Sequence, residues 1–409
     1  MKRRDFLKTG VQLGALAGVA ASPFGRCWAQ TEEAHFFVLF RVTNGWDVTL
    51  SLDPKTHGEG TDQNDVFLEY RPEDILRKDS LALGPAAAVL GPYMSDLSVI
   101  NGVHMRRDGG HQANLNYMSS GKGDGLSSFL PVELAYALKA PTFFNVGVLG
   151  GSTQLGNRLV TLMDVSSYLG SSNGLDLSLL FDEDLTGDYG QAVKAFKKSQ
   201  PILSRIRDDF QGRQAFDETH KAQILARLCA DKVLECVQID FNKNLDTHSA
   251  HPQNHLAQQK EVWEEIAGYF KAFKETPFGE SNLFDHTTFM AISEFSRTPA
   301  LNTSQGKDHN PYTNSVLLAG KGINRGRVIG ESRVLSRKTS VGGMSKHMAL
   351  PLDYRSGEIY RGNTLPPSKA VNLIFPEDVA RTVAGIFGNP TGFETAPLSL
   401  PVIPGVIKS

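Results

Sequence analysis

The sequence predicts an α/β protein built around a mostly parallel β-sheet with helices on both faces. Three observations lead to this class. The stretch His35–Val42 is largely apolar and has the length of a strand, as expected for a central strand buried on both faces. Strand-like and helix-like stretches then alternate along the chain, which is the pattern of βαβ units. The 409 residues show neither an internal repeat nor a composition break, which favours one large domain.

The remaining elements follow from apolar spacing and turn residues. Further strands are predicted over Asp96–Val103, Thr142–Leu149, Arg158–Met163, Val237–Phe241, Thr287–Phe295, Asn314–Ala319 and Arg327–Ile329. Helices are predicted over Gln112–Met118, Lys194–Arg213, Glu218–Glu235, the segment that begins at Pro252, and Pro376–Phe387. Helices within residues 165–235 could cover the sheet or form a small cap or insertion. The Pro-rich tail from Pro397 is predicted to be an extended surface strand.

The N-terminus has the features of an export signal. Arg3 and Arg4 are followed by an apolar run from Val11 to Ala21 and by a small-x-small sequence ending at Ala29. The run is too short to span a membrane, and the paired arginines resemble the twin-arginine signal of bacteria. The alternatives are a general secretory signal and a basic surface turn. We expect the twin-arginine export machinery as a partner, residues 1–29 to be removed, and residues 30–409 to form one periplasmic or secreted domain.

Composition narrows the function classes. Removal of residues 1–29, which carry five basic side chains and one acidic one, changes the formal net charge from −2 to −6. Neither a basic patch nor a second long apolar segment is evident, so we expect no nucleic-acid partner and no membrane span after cleavage. Cys229 and Cys236 are too far apart in a helix-like stretch to form a disulfide, so disulfides are not expected to stabilise the fold.

Acids and histidines follow several of the predicted strands. In open α/β sheets, ligands bind beyond the carboxyl ends of the strands, and right-handed crossovers bring those ends to one edge. The candidate metal ligands are Asp47, Asp246, His248, Glu294, Asp308 and His309. Oxygen and nitrogen donors without a thiolate suit one or two divalent ions, either zinc, manganese, calcium or magnesium. The alternative is that the aspartates are helix caps or turn residues.

Two further residues are candidates for roles in substrate chemistry. Arg297 lies three residues after Glu294 and could hold an oxyanion through two hydrogen bonds, or form a salt bridge to a neighbouring carboxylate. His111 follows Gly109-Gly110 at a predicted helix start and could be a metal ligand, a general acid or a nucleophile. We take His111 as the catalytic candidate and Arg297 as the substrate-binding one. His251 and His255 could share a helix face but are expected to be solvated.

With these residues in view, the sequence resembles the DUF1501 family, exported proteins of the alkaline phosphatase/sulfatase-like superfamily. The resemblance covers most of residues 30–409. It is most specific at three motifs: Asp246-Thr-His248 (W-D-T-H in the family), Ser293-Glu-Phe-Ser-Arg-Thr298 (S-E-F-G-R-T) and Asp308-His309 (D-H). The similarity is weaker over Asn44–Asp47, Tyr70–Pro72 and His111–Gly121.

The resemblance implies an alkaline-phosphatase-like three-layer α/β/α sandwich and puts the six candidate ligands at metal-binding positions. The chain departs from the family at Asn44, Leu245 and Ser296, where relatives have glycine, tryptophan and glycine, and at Gly110, where they often have serine. No Ser, Thr or Cys stands clearly at the superfamily's nucleophile position. We expect a metal-dependent periplasmic hydrolase that acts on small phosphate or sulfate esters. The alternative is a non-catalytic exported protein that binds a metal or another ligand.

Overall fold

The fold is organised around one eight-stranded sheet. A computed structural model of the chain describes residues 34–58, 62, 64–106, 110–138, 144–158, 160, 162–166, 218–338, 345–362, 368–394 and 401–408. The predicted signal at residues 1–29, the predicted helix Lys194–Arg213 and most of the predicted cap lie outside these ranges.

The strands of the sheet overlap the predicted ones, although the strand predicted over Arg158–Met163 is observed at Leu162–Asp164. They are β1 Phe36–Val42, β2 Leu97–Asn101, β3 Phe144–Leu149, β4 Leu162–Asp164, β5 Leu234–Phe241, β6 Thr287–Ser293, β7 Ser315–Gly320 and β8 Arg327–Ile329. Their order across the sheet is β8-β2-β7-β6-β1-β5-β3-β4. All pairs are parallel except those of β7 with β6 and with β2. The mostly parallel sheet confirms the predicted α/β class.

β1 is the central strand, as its apolar sequence predicts. Val42 at its carboxyl end stands beside Phe241 of β5 and Ser293 of β6 in the parallel register. The segments that leave these three strands therefore start side by side at one edge of the sheet, which is where a ligand site is expected.

In the described part of the chain, five α-helices accompany the sheet: α1 Gly110–Ser120, α2 Leu130–Leu138, α3 Glu218–Ala230, α4 His251–Glu275 and α5 Pro376–Ile386. A 3-10 segment, Pro85–Asp96, packs beside α4. Shorter 3-10 turns cover Val48–Leu50, Pro72–Asp74 and Leu283–His286. Short strand pairs outside the sheet are Leu76–Lys78 with Leu81–Leu83, Pro277–Phe278 with Ser281–Asn282, Ser296–Arg297 with His309–Asn310, Ser332–Leu335 with Lys346–Ala349, and Leu352–Asp353 with Val371–Asn372.

The side chains of β1 divide between two hydrophobic cores, one on each face of the sheet. Phe36, Val38 and Phe40 pack in a core that α3, α4 and the 3-10 segment complete. Phe37 and Leu39 pack in a second core with residues of α1, α2 and α5. Because alternate side chains of a strand point to opposite faces, this division gives three layers, α/β/α.

Two sequence predictions need correction. The helix predicted over Glu218–Glu235 ends at Ala230, because Lys232 adopts φ +55° and Val233 donates to the carbonyl of Leu228, which closes the helix end. Cys236 therefore lies in β5, and both it and Cys229 are buried free thiols. The last residues are also not simply a surface strand, because Ile403 and Val406 are fully buried in the second core.

Among the helices of the described residues, none combines the length and apolar character needed to cross a membrane.

Candidate metal centre

The candidate site lies where β1, β5 and β6 end. Asp246 and His248 belong to the loop after β5, and Glu294 directly follows β6. His309 lies in the short strand pair after β6. His111 comes from the first turn of α1, whose first residue, Gly110, adopts φ +73°. Segments far apart in sequence thus converge because the strands that precede them stand in register.

Three imidazoles converge on one carboxylate oxygen. Oδ1 of Asp246 lies 3.4 Å from Nε2 of His111, 3.1 Å from Nε2 of His248 and 3.5 Å from Nε2 of His309. The Nε2 atoms of His248 and His309 are 3.0 Å apart. One atom each from His111, Asp246 and His309 also lie within 4.8 Å of one another. We call these four residues the Asp246 cluster.

The separations in the Asp246 cluster are those of neighbouring ligands around one ion. With metal–nitrogen bonds of about 2.1 Å, adjacent ligand atoms stand about 3.0 Å apart in octahedral geometry and about 3.4 Å apart in tetrahedral geometry. The three distances from Oδ1 of Asp246 to the imidazoles and the distance between His248 and His309 range from 3.0 to 3.5 Å. His111, Asp246 and His309 therefore fit a divalent ion that accepts nitrogen and oxygen ligands, and His248 lies beside two of them.

Two acids orient the imidazoles. Glu294, fully buried, bonds Nδ1 of His111 at 2.7 Å, and Asp308 bonds Nδ1 of His248 at 2.8 Å. When Nδ1 carries the proton, Nε2 presents its lone pair, which is the tautomer that a metal requires. The hydrogen bond to Glu294 also raises the pKa of His111. The sequence predicts Glu294 and Asp308 as ligands, and in the structure each bonds Nδ1 of a candidate ligand histidine.

His111 presents Nδ1 to Glu294 and Nε2 toward Asp246. An acid on one ring nitrogen and a free face on the other suit a metal ligand and also a general acid or base. A nucleophilic role for His111 stays a prediction.

Arg297, predicted to bind substrate, lies against the Asp246 carboxylate. Its side chain is fully buried, and Nη2 donates to Oδ1 of Asp246 at 2.9 Å. Its other donors go to backbone carbonyls of Asn44, Gly45 and Lys307. Burial alone would raise the pKa of Asp246, but the Arg297 guanidinium lowers it. The salt bridge to a neighbouring carboxylate, the second sequence alternative, is the arrangement that the structure has.

Asp47, a predicted metal ligand, lies in a different cluster of buried side chains, next to Lys307. Its carboxylate is fully buried, with Oδ1 accepting from the backbone and hydroxyl of Thr49 at 2.9 and 2.7 Å and Oδ2 lying 2.6 Å from Nζ of Lys307. Burial alone would raise the pKa of Asp47, but the Lys307 ammonium holds it well below the usual range. The turn-acid alternative thus describes Asp47, which caps the turn Val48–Leu50.

The surroundings of Asp47 include two histidines that the sequence left as solvated. His251 and His255 are fully buried, and both bond the hydroxyl of Thr247, at 2.7 and 2.8 Å. Nε2 of His251 lies 3.5 Å from Asp47 and 3.5 Å from Glu69. Burial raises the pKa of Glu69 to about 7 and lowers that of His251. These residues with Lys307 form what we call the Lys307 cluster, in which the ammonium is the resident cation.

Neighbouring residues of the same chain segment belong alternately to the Asp246 cluster and to the Lys307 cluster. In Asp246-Thr247-His248, the outer residues join the Asp246 cluster and Thr247 bonds the buried histidines. Lys307 points to Asp47, whereas His309, two residues on, points to Asp246. Extended backbone sends successive side chains to opposite sides, so a single motif serves both clusters.

A buried ion pair beside the site was missed by the sequence reasoning. Arg41 lies in β1 with 3% of its surface exposed, and its Nε is 3.7 Å from Oδ1 of Asp240 at the end of β5. Both residues line a cavity of about 550 Å³ whose wall also includes His111 and Glu294. The available signal was a single arginine within an apolar strand, since such a charge is rarely buried without a partner.

A third buried group resembles a serine-hydrolase triad only in composition. The hydroxyl of Ser332 bonds both Asp53 and Nε2 of His347, and Nδ1 of His347 has no partner among the described residues. In a catalytic triad the acid orients the histidine from its other nitrogen. His347 is fully buried, so this group is structural.

Comparison with known proteins supports the family resemblance. Residues 182–362 match the family model described as a protein of unknown function, DUF1501, which confirms the resemblance over that part of the chain. The matched residues include those of the Asp246 cluster except His111. No match to the chain is found among curated proteins.

Two solved structures are similar to the chain at low identity. One is a protein in the alkaline phosphatase superfamily from Vibrio parahaemolyticus, 10% identical, with 86% of this chain and 90% of that chain covered and a TM-score of 0.35. The other is a protein from Pyrococcus horikoshii, 10% identical, with 71% and 86% covered and a TM-score of 0.23. The α/β/α assignment rests on the sheet order and the two cores given above.

Proposed function

We propose that this chain is an exported, metal-dependent hydrolase of phosphate or sulfate esters. The observation that carries the proposal is the Asp246 cluster: three imidazole nitrogens gather around one carboxylate oxygen at ligand-to-ligand separations. The site stands at the carboxyl edge of a mostly parallel sheet, where α/β proteins bind their ligands.

We propose that the site holds one ion and that this ion is zinc. Imidazole nitrogen is a preferred ligand of zinc, whereas calcium and magnesium prefer oxygen. A second ion near Asp47 is disfavoured because the Lys307 ammonium already lies 2.6 Å from its carboxylate. We therefore propose one ion, of the one or two that the sequence leaves open, with Asp246, His111 and His309 as its ligands and His248 as a further candidate ligand.

The chain's residues prepare the site in two ways. Glu294 and Asp308 fix the imidazoles through Nδ1, so Nε2 faces the ion position. Arg297 holds Asp246 from the buried side. Because the guanidinium of Arg297 donates to Asp246 and to backbone carbonyls, the substrate would approach the ion from the exposed side. A zinc ion held there would polarise an ester oxygen and lower the pKa of a coordinated water.

The proposed location follows from the sequence of residues 1–29, with the paired arginines, the short apolar run and the small-x-small site as its support. The twin-arginine route would carry the chain across the membrane already folded, which suits a protein that acquires its metal before export. Cell fractionation would test it, with Arg3→Lys/Arg4→Lys expected to keep the chain in the cytoplasm.

The test of activity is a panel of aryl phosphate and aryl sulfate esters, assayed with added zinc, manganese, calcium or magnesium. We expect turnover of at least one ester class with zinc, and loss of that turnover in Asp246→Ala. Asp285→Ala is the matched control, because Asp285 is a partly exposed acid that pairs with Arg325 away from the site. Equal turnover by wild type and Asp246→Ala would refute the proposal. Metal binding without turnover of any ester would favour the non-catalytic alternative.

A further inference from the structure

The cavity beside the Asp246 cluster is built from residues that follow three neighbouring strands. Thr43 and Asn44 follow β1, Asn242 follows β5, and Gly150–Gln154 follow β3. Residues of α1 form the opposite wall, where Gln112 and Asn116 bond each other at 2.7 Å. His111 belongs both to this wall and to the Asp246 cluster, so the cavity lies next to the proposed ion position, although Asp246, His248 and His309 do not line it.

The wall is rich in groups that both donate and accept hydrogen bonds. It carries five amide side chains (Asn44, Gln112, Asn116, Gln154, Asn242) and three hydroxyl side chains (Thr43, Ser152, Thr153), against only two large apolar ones, Leu115 and Phe129. A ligand hydroxyl likewise donates and accepts, so amides and hydroxyls suit it better than they suit an apolar group.

The charges of the wall are already matched. Arg41 faces Asp240 at 3.7 Å, donates from Nη1 to the carbonyl of Ser152 at 3.3 Å, and stacks over the Phe129 ring at 4.5 Å. Glu294 is hydrogen-bonded by His111. Because each charged side chain of the wall faces a partner, the wall offers little net charge to offset the desolvation of a charged group, whereas its amides and hydroxyls can bond a neutral polar group.

We infer that this cavity binds the alcohol part of the substrate and that this part is a neutral polyhydroxylated group, a sugar or polyol. The inference rests on the proposed function, because it assumes that the ester bond lies at the Asp246 cluster. The volume of about 550 Å³ is in the usual range for small-molecule sites and exceeds what one sugar ring needs. The paired Arg41 and Asp240 would then serve as a fixed donor and acceptor for adjacent hydroxyls.

Direct binding tests the cavity without requiring activity. The probes are methyl pyranosides and acyclic polyols, titrated onto the full chain by calorimetry and ligand-observed NMR. We expect saturable binding of at least one probe, weakened about two- to tenfold in Gln112→Leu, which is the range for one lost hydrogen bond. The control is Gln253→Leu, since Gln253 is also exposed and is also the third residue of its helix, but does not line the cavity.

Turnover supplies a second readout. Sugar phosphates or sugar sulfates should have a higher kcat/KM than a phenyl ester of the same acid, and Gln112→Leu should reduce that preference. Pyranoside binding that depends on Gln112, with no ester turned over, would keep the cavity assignment and refute the hydrolase. Turnover without sugar preference, with no saturable binding of any probe, would refute the cavity assignment and keep the hydrolase.

Discussion

Lys307 offers the sharpest test of the buried charges beneath the site. Its ammonium is fully buried, 2.6 Å from Asp47 and 3.2 Å from the carbonyl of Phe67. Lys307→Met keeps the unbranched shape of the side chain but leaves the Asp47 carboxylate buried without its cation. Removing one partner of a buried pair typically costs about 3–5 kcal/mol, and we expect a loss of this size in the free energy of unfolding.

The assay is urea denaturation of wild type, Lys307→Met and the double variant Asp47→Asn/Lys307→Met. The double variant should recover most of the loss, because it removes both charges and keeps an acceptor for Thr49. Lys260→Met is the control, since Lys260 is exposed and its ion pair with Glu264 spans 3.7 Å. A Lys307→Met variant as stable as wild type, or a double variant no better than the single one, would refute the reasoning.

Three further predictions concern single groups. Thr313→Val should stabilise the fold by about 1–3 kcal/mol, because the Thr313 hydroxyl is buried without a partner among the described residues. Thr49→Val should instead destabilise the fold, because it loses the 2.7 Å hydrogen bond to Asp47. Thermal unfolding that shifts in the same direction for both variants would contradict this prediction. Burial raises the pKa of Asp378 from 3.8 to about 6, so the stability of the fold falls as pH rises from about 4 to 6. Asp378→Asn should therefore be up to about 3 kcal/mol more stable than wild type at pH 8 and as stable as wild type near pH 4. A stability difference between the two proteins that does not change with pH would contradict the raised pKa. Glu294→Gln should weaken zinc binding about 10- to 100-fold by loosening His111, and unchanged affinity in calorimetry would remove Glu294 from the site.

The sheet was predictable because apolar sequence reports burial directly. The run at β1 and the strands at 287–293 and 315–320 carry enough apolar residues to identify their place. The end of α3 was not predictable in this way, because Leu225, Leu228 and Leu234 continue one apolar pattern across the point where Lys232 turns the backbone.

The candidate site was predictable as a set of residue types and less so as a set of roles. Sequence position shows that acids and imidazoles follow strands that end at one edge, and the structure brings Asp246, His248, Glu294, Asp308 and His309 together there. Sequence position does not show which carboxylates face an ion and which orient a histidine, because that depends on differences of about an ångström in atomic position. The separate place of Asp47 depends on Lys307, 260 positions away in the chain.

The buried polar groups show a related limit. His251 and His255 have the spacing of a helix face, but their burial depends on how α4 packs against the loop that carries Thr247. Arg41 was visible in the sequence only as an exception within an apolar strand. Its partner Asp240 lies on the neighbouring strand β5, and that pairing follows from sheet order rather than from local sequence.

The central idea, that one ion draws the Asp246 cluster together, is most directly tested by titrating zinc into the chelator-treated full chain in a calorimeter. We predict saturation at one equivalent for wild type and for Asp47→Asn/Lys307→Met, and no saturable binding for Asp246→Ala. Binding by Asp246→Ala that matches wild type, or wild type that takes up no zinc, would contradict it.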